Sequence, residues 1–425
     1  MSFKTKVFTL LICLMPILHA YATPIPNVTL GEIGLLFLLP IGIIDYFRLN
    51  DKLRITPYFL FIFVMTITSL VTMILQSSYD YMAVAKLFGR LYFYFCIICI
   101  LGKVYFNFPY AIKIYKILCI FVSLYLVTQT ICYYAFQLIL PATVEGIPLY
   151  NNETYYAIDF QAVYARLFRP QSIFLEPGVF AQYLLPCLLL CLFKVNKFEN
   201  NVNIKLALFI SGSLILSLSA QAIILTAIIW VIWFGISLKK MNATKKIILF
   251  YMGTLGVCLF FVAVTLIEPL REAIIGRFIE GTSYDSTNVR IVRGFQVYEQ
   301  LGLIFQFVGV GFGNITTFVI THGITTENDL YGSNINGVIQ HNYEYMNAIA
   351  YVLVTGGFIS FLFFFNLFYS LFKVSRGFSR MCVVILLLLS LVGGTLISTT
   401  WIVFMLFIYK GIENYEVKDL HKVRK

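Results

Sequence analysis

The sequence predicts an all-α polytopic membrane protein of about twelve transmembrane helices. Three observations carry that reading. The 425 residues are 60% hydrophobic and 12% charged, with a mean hydropathy of +0.86, far outside the range of a soluble domain. Apolar runs long enough to cross a hydrocarbon layer of about 30 Å recur along the whole chain. Lys and Arg cluster in every second connection between them.

Taken in order, spans are expected near 7–23, 29–47, 56–76, 83–102, 111–139 and 172–193. Others follow near 204–218, 220–237, 246–266, 344–372, 381–396 and 398–410. The pair 204–218 and 220–237 forms one nearly continuous apolar run. Backbone polar groups inside a bilayer need internal partners, so the spans are read as helices. Basic clusters lie at Lys4/Lys6, 48–54, 103–116, 194–205, 239–246, 373–380 and 410–425, whereas 24–28, 77–82 and 217–221 carry none. Both termini are therefore expected in the cytoplasm. The net charge of +11 is a positive-inside signature, and nucleic acid is not expected as a partner. Lys4, Lys6 and Ala20-Tyr21-Ala22 also fit a cleavable signal peptide; an uncleaved first helix is the preferred reading.

All nine cysteines fall within or beside apolar runs. Cys96-x-x-Cys99 has metal or redox spacing, but its setting among Phe, Tyr and Ile reads as core packing. With no linker and no repeat, the chain is one membrane domain, 1–425. It has a first long outer connection at 140–171 and a larger one at 267–343. Amphipathic stretches near 267–279 and 288–305 are expected as helices that lie against the outer leaflet or cap the bundle.

The outer face holds eight of the 31 basic residues, and seven of the eight are Arg: Arg90, Arg166, Arg169, Arg271, Arg277, Arg290 and Arg293, with Lys86. Arg binds phosphate or carboxylate oxygens with a two-pronged fork and stays charged in poorly hydrated sites. Lys86 and Arg90 share one face of the fourth span, so a cavity or partner is expected there, with snorkelling to the headgroups as the structural alternative. Arg290 and Arg293 share a face of an amphipathic helix, where lipid headgroups are an alternative ligand. Arg166 and Arg169 precede Glu176-Pro177. Proline frees a backbone carbonyl near that carboxylate, and a structural Glu176–Arg pair is the alternative to a functional one. His341, at the outer boundary beside Asn342-Tyr343-Glu344, is a candidate proton acceptor or an interfacial anchor. The Gly309-Val310-Gly311-Phe312-Gly313-Asn314 run has no flanking dinucleotide-binding unit and reads as a tight turn. No residue pattern calls for a metal or another cofactor, and the spans lack the Asp, Glu and His chains of a proton-coupled transporter.

Three elements together resemble the O-antigen polymerase and ligase superfamily. They are Arg166-x-x-Arg169-Pro170-x-Ser172-x-Phe174-x-Glu176-Pro177, the 307–314 segment, and His341-Asn342 leading into a long span. The resemblance covers nearly the whole chain. It implies a metal-independent glycosyltransferase of GT-C-type architecture, in the bacterial inner membrane with its active site facing the periplasm. The implied substrates are undecaprenyl-pyrophosphate-linked saccharides, and a chain-length regulator and a flippase are the implied partners. In a Wzy-type polymerase the growing glycan moves onto the acceptor repeat unit. Arg90, Arg166 and Arg169 would then hold pyrophosphate, assisted by Lys86, Arg290 and Arg293. His341 would be the base, with Glu176 next. A ligase is the nearest alternative. The ligase Ser-Arg-Gly element is here replaced by Ser217-Leu218-Ser219-Ala220-Gln221, which favours the polymerase. A lipid-linked saccharide flippase is the alternative from another class; it would need charges through the bilayer, and here they stay near the outer end.

Overall fold

The computed structural model describes residues 1–49, 56–150, 168–196, 202–239, 286–326, 332–335, 338–341, 343–394 and 396–423, with isolated positions between 242 and 271. In chain order the helices begin α1 (Phe3–Leu18), α2 (Leu30–Arg48), α3 (Pro57–Leu75), α4 (Tyr81–Tyr105) and α5 (Phe108–Phe136). Then come α6 (Pro177–Leu192), α7 (Ile204–Leu216), α8 (Ala220–Leu238), α9 (Ser286–Glu299), α10 (Leu303–Val308) and α11 (Ile315–His322). A hairpin of β1 (Gly332–Ile335) and β2 (Val338–His341) precedes α12 (Ala348–Val374), α13 (Gly377–Val392) and α14 (Thr399–Val423).

Among the described residues six helices are long and apolar enough to cross a membrane: α2, α3, α4, α5, α8 and α12. The spans expected near 7–23, 172–193, 204–218, 381–396 and 398–410 also coincide with helices, but α1, α6, α7 and α13 are shorter and α14 carries a charged C-terminal half. Most of 246–266 lies outside the described residues, as does most of 267–279. A short antiparallel hairpin of two four-residue strands is added to an otherwise helical architecture. It pairs Gly332 with His341, and Asn-Gly at 336–337, between the strands in the sequence, is a hairpin signal the apolar-run reading passes over.

Local chemistry sets the helix starts. Thr56 accepts from Phe59 N at 3.1 Å ahead of Pro57, Asp80 caps α4 through Met82 N and Ala83 N at 3.1 and 2.9 Å, and Asn347 caps α12 through Ala350 N at 2.8 Å. Each satisfies a backbone donor that the helix leaves open. Thr29 and Glu32 form a reciprocal capping box on α2.

The surface is inverted relative to a soluble protein. Phe37, Ile74, Phe121 and Val231 are 59–80% exposed, as expected where lipid is the solvent. The interior is built on α6, buried along nearly its whole length, and on the Trp401–Ile408 stretch of α14. Trp401 stacks on Phe364 of α12 at 6.1 Å and contacts Tyr58 of α3. Cys96 precedes the π-helical turn Ile97–Leu101 within α4 and Cys99 lies inside it; both are free.

The two ends of the bundle differ in charge. At one end Lys4 pairs with Asp45 at 2.8 Å, Lys103 lies over Tyr46, and Lys410 reaches the Lys103 carbonyl. The opposite end holds Lys86, Arg90 and the N-terminus of α12.

Candidate functional site

At that opposite end α2, α4 and the segments flanking them enclose a cleft of about 450 Å³, within the size range of small-molecule sites. Its polar wall is Asn27, Glu32, Lys86, Arg90, Tyr150 and Glu344; Leu36, Leu87 and Phe93 form the apolar wall.

Glu32 is the centre of the polar wall. As the third residue of α2 it closes the capping box, and it is 2% exposed. It accepts from Thr29 N at 2.9 Å, the Thr29 hydroxyl at 3.0 Å and the Tyr94 hydroxyl at 2.7 Å. Arg90 completes the set, with Nε 3.2 Å from Oε1 and Nη2 3.3 Å from Oε2. Nη2 also donates to Asn27 O at 3.0 Å and to the Tyr150 hydroxyl at 2.9 Å. The guanidinium carbon lies 5.4 Å from the Tyr150 ring centre. His19 Nδ1 and the Thr29 hydroxyl share a 3.0 Å hydrogen bond behind the pair. A buried ion pair is tolerable only when its remaining hydrogen-bonding capacity is filled, and here the carboxylate has four donor groups. Arg90 thereby ties α4 to the start of α2 and to Tyr150, which Ala20 O holds through the Tyr150 amide at 2.9 Å.

Lys86 lies one turn from Arg90, exposed at the mouth of the cleft. Glu344 enters from the segment ahead of α12 and is half-buried. Burial pushes the Glu344 carboxyl above the usual carboxylate range, because a desolvated anion favours its protonated form.

Beside the cleft, α9 forms a shelf. Arg293 is fully buried with its guanidinium carbon 5.3 Å from the Tyr343 ring centre. Arg290 sits 4.4 Å from the Tyr345 ring centre and 3.7 Å from the Glu176 carboxylate. Asn347 donates from N and Nδ2 to Arg290 O at 2.8 and 3.0 Å. Gly294 permits the close approach, since a Cβ there would stand 2.4 Å from the Ala350 Cβ. The run 343–345 thus joins shelf to cleft: both tyrosines lie under arginines of α9 while Glu344 faces the cavity.

The segment before α6 also enters the bundle without helical structure. Phe168 stacks on Tyr133 of α5 at 4.0 Å. Ser172, with φ +58°, exchanges two backbone hydrogen bonds with the Gln129 amide at 2.8 and 3.1 Å and donates its hydroxyl to Val122 O at 2.7 Å. Gln129 here does what a neighbouring strand would do for buried backbone.

The glycine run is inserted more deeply than a surface turn. Val310 N and Gly311 N donate to Val354 O and Thr355 O, each at 2.9 Å, and Phe312 N donates to Ser69 Oγ at 3.0 Å. Val310 O accepts from Gln76 Nε2 at 3.0 Å, and Asn314 Oδ1 accepts from Asp80 N at 3.0 Å. The expected tight turn is present, closed by Asn314 N donating to Gly311 O at 3.1 Å, and the stretch leading into it is laid against α12 where Gly357, φ +68°, breaks the helix. The amides of residues 309–312 and 314 are committed to protein, which leaves no run of free N–H groups for a phosphate cradle.

Of the sequence-predicted site residues, the structure brings Lys86 and Arg90 to the cleft, and Arg290, Arg293 and Glu176 to the neighbouring shelf. Arg169 lies half-buried in the segment before α6. Arg166 lies outside the described residues. His341 ends β2 opposite Gly332, and its side chain also lies outside the description. Glu32, Tyr94, Tyr150 and Glu344 escaped the sequence reading. Thr29-x-x-Glu32 carried a legible capping signal, whereas Tyr150 carried none. Among the described residues no cluster of His, Cys, Asp and Glu could hold a metal.

These features define a helical membrane protein with an amphipathic cleft at one end of its bundle. No protein-family model matches the chain, and no curated protein matches it.

Proposed function

We propose that the protein is a polysaccharide polymerase acting on undecaprenyl-pyrophosphate-linked repeat units at the outer face of the bacterial inner membrane. The observation that supports this reading most is the amphipathic cleft, in which Lys86 and Arg90 stand over an apolar wall of Leu36, Leu87 and Phe93. A lipid pyrophosphate has the matching chemistry: an anionic head for the cations and an isoprenoid chain for the wall and the lipid-facing helices.

In the proposed reaction an acceptor sugar hydroxyl attacks the anomeric carbon of the growing chain, and undecaprenyl pyrophosphate leaves. Cations placed where charge develops on that leaving group lower the barrier. Lys86 and Arg90 contribute from the cleft, Arg290 and Arg293 from the shelf, and Arg166 and Arg169 from the segment before α6. Glu176 and His341 stand as acid–base groups in this reading, and about twelve spans of GT-C-type arrangement are its proposed scaffold.

Deletion of the gene in its host, followed by gel analysis of the surface polysaccharide, tests the proposal. Lipopolysaccharide capped with a single repeat unit is the expected outcome. Uncapped core with lipid-linked polymer accumulating would identify a ligase instead, and an unchanged ladder would sink both readings.

A further inference from the structure

We propose that Glu344 is the catalytic residue that accepts the proton of the attacking hydroxyl, and that Lys86 receives the departing pyrophosphate across the same cleft. The proposal rests on the polymerase reading and gives a role to a residue that reading does not use.

Of the carboxylates at this end of the bundle, Glu32, Glu176 and Glu344 stand in or beside the cleft, and their surroundings separate them. Glu32 accepts from Thr29, Tyr94 and Arg90 and has no capacity left for a hydroxyl. Glu176 faces Arg290 at 3.7 Å, outside the cleft. Glu344 lines the cleft, and among the described residues its side-chain carboxylate has no ion-pair or hydrogen-bond partner. A half-buried carboxylate without a partner, facing a cavity, carries a desolvation cost that packing alone does not offset. Lys86 is likewise without a partner among the described residues, and it opens onto the same cavity. Anion and cation are presented to one space without neutralising each other, which suits a ligand that places a proton donor at one and a phosphate at the other.

The neighbouring residues fix the direction of Glu344. Tyr343 and Tyr345 are held against Arg293 and Arg290, and Asn347 ties the segment to the Arg290 backbone. A base fixed in this way loses little freedom when substrate arrives. Burial supports the same role, because it holds the carboxyl above the usual carboxylate range and makes it a stronger proton acceptor than a solvated carboxylate. In the step itself the acceptor oxygen bonds to the anomeric carbon as the bond from that carbon to the pyrophosphate oxygen breaks. The bonding pair leaves with pyrophosphate, beside Lys86, and the hydroxyl proton moves to a Glu344 carboxylate oxygen. Water then takes that proton and restores the carboxylate.

The test uses the full chain in liposomes with undecaprenyl-pyrophosphate-linked repeat units, and undecaprenyl pyrophosphate itself as the binding probe. Glu344→Gln should bind the probe as the wild type does and make polymer about a hundredfold more slowly, or worse, the range for loss of a general base. Lys86→Met should weaken probe binding about tenfold. Added formate should restore turnover to Glu344→Ala, a rescue that a merely structural carboxylate would not give. If Glu344→Gln polymerises within threefold of wild type, or formate rescues nothing, Glu344 is not the base and the polymerase reading stands. Failure of the wild-type protein to form polymer overturns the polymerase reading and the role of Glu344 with it. Should Glu344→Gln fail to fold, the formate arm on Glu344→Ala and partial activity in Glu344→Asp decide the question.

Discussion

Arg90 and Glu32 meet at 3.2 Å inside the bundle, and the pair joins the start of α2 to the middle of α4. Glu32 is 3% exposed at its side chain and Arg90 21%. Arg90, one of the three arginines that the sequence places first for pyrophosphate together with Arg166 and Arg169, is thus also firmly engaged by protein. Arg90 shapes the cleft as well as lining it.

Removing one partner should therefore cost stability. Arg90→Ala leaves the Glu32 carboxylate buried without its cation, for which roughly 3–5 kcal/mol is typical, and the partial exposure of Arg90 places the expected loss near the lower end. Arg90→Met with Glu32→Gln removes both charges and should recover part of that loss. Thermal unfolding of the purified protein in detergent checks this, and a double variant less stable than Arg90→Ala would show that the pair is not coupled.

Gly309 and Gly357 interlock and yield a second prediction. A Cβ on Gly357 would stand 2.2 Å from Phe307 O, and one on Gly309 would stand 2.2 Å from Thr355 O. Both residues also have positive φ, +80° at Gly309 and +68° at Gly357. With ψ of −174° and −175°, both sit in a region reached essentially by glycine alone, where another residue costs about 1–3 kcal/mol, and the backbone collisions add to that. Gly357→Ala and Gly309→Ala should each abolish accumulation of folded protein, whereas Gly302→Ala, with open space around it, should not. Monodisperse Gly357→Ala protein at wild-type yield would refute the interlock.

Much of this architecture was legible in the chain. Apolar runs located the helices because a bilayer imposes one length and one polarity on every span. Lys86 and Arg90 were legible because four residues return a helix to the same face. The two non-helical insertions were visible only as odd composition, Arg-Pro-Gln-Ser at 169–172 and the glycine run at 309–313. What they do depends on partners more than forty residues away, Gln129 for Ser172 and Thr355 for Gly311. Glu344 was read merely as a neighbour of His341. Its lack of a partner is a property of three dimensions, and no spacing along the chain encodes it.

Glu176 separates structural from chemical roles at the shelf. Its 3.7 Å contact with Arg290 involves side chains 47% and 25% exposed, and such pairs contribute between nothing and about 1 kcal/mol. Glu176→Gln should leave the melting temperature nearly unchanged. Polymer lost at normal stability would give Glu176 a part in catalysis or binding; polymer retained would leave it a surface partner of Arg290.

The last prediction concerns pH and again Glu344. Its carboxyl titrates above the usual carboxylate range in the folded protein because burial disfavours the anion, while in the unfolded chain it returns to about 4.3. Between these two values the folded state holds a proton that the unfolded state has released. Stability therefore falls as pH rises through that window, the reverse of an ion-paired carboxylate. The contribution is most favourable below the unfolded value and is lost once pH exceeds the folded one. Glu344→Gln cannot titrate, so its melting temperature should gain on wild type as pH climbs above about 4. Glu32, Lys86, Arg90 and Tyr150 in the cleft, and Tyr351 behind it, are common to both proteins, so the difference isolates Glu344. Melting curves of the two proteins that stay parallel across that range would mean that Glu344 is solvated like a surface carboxylate, and its role as a poised base would fall with that result.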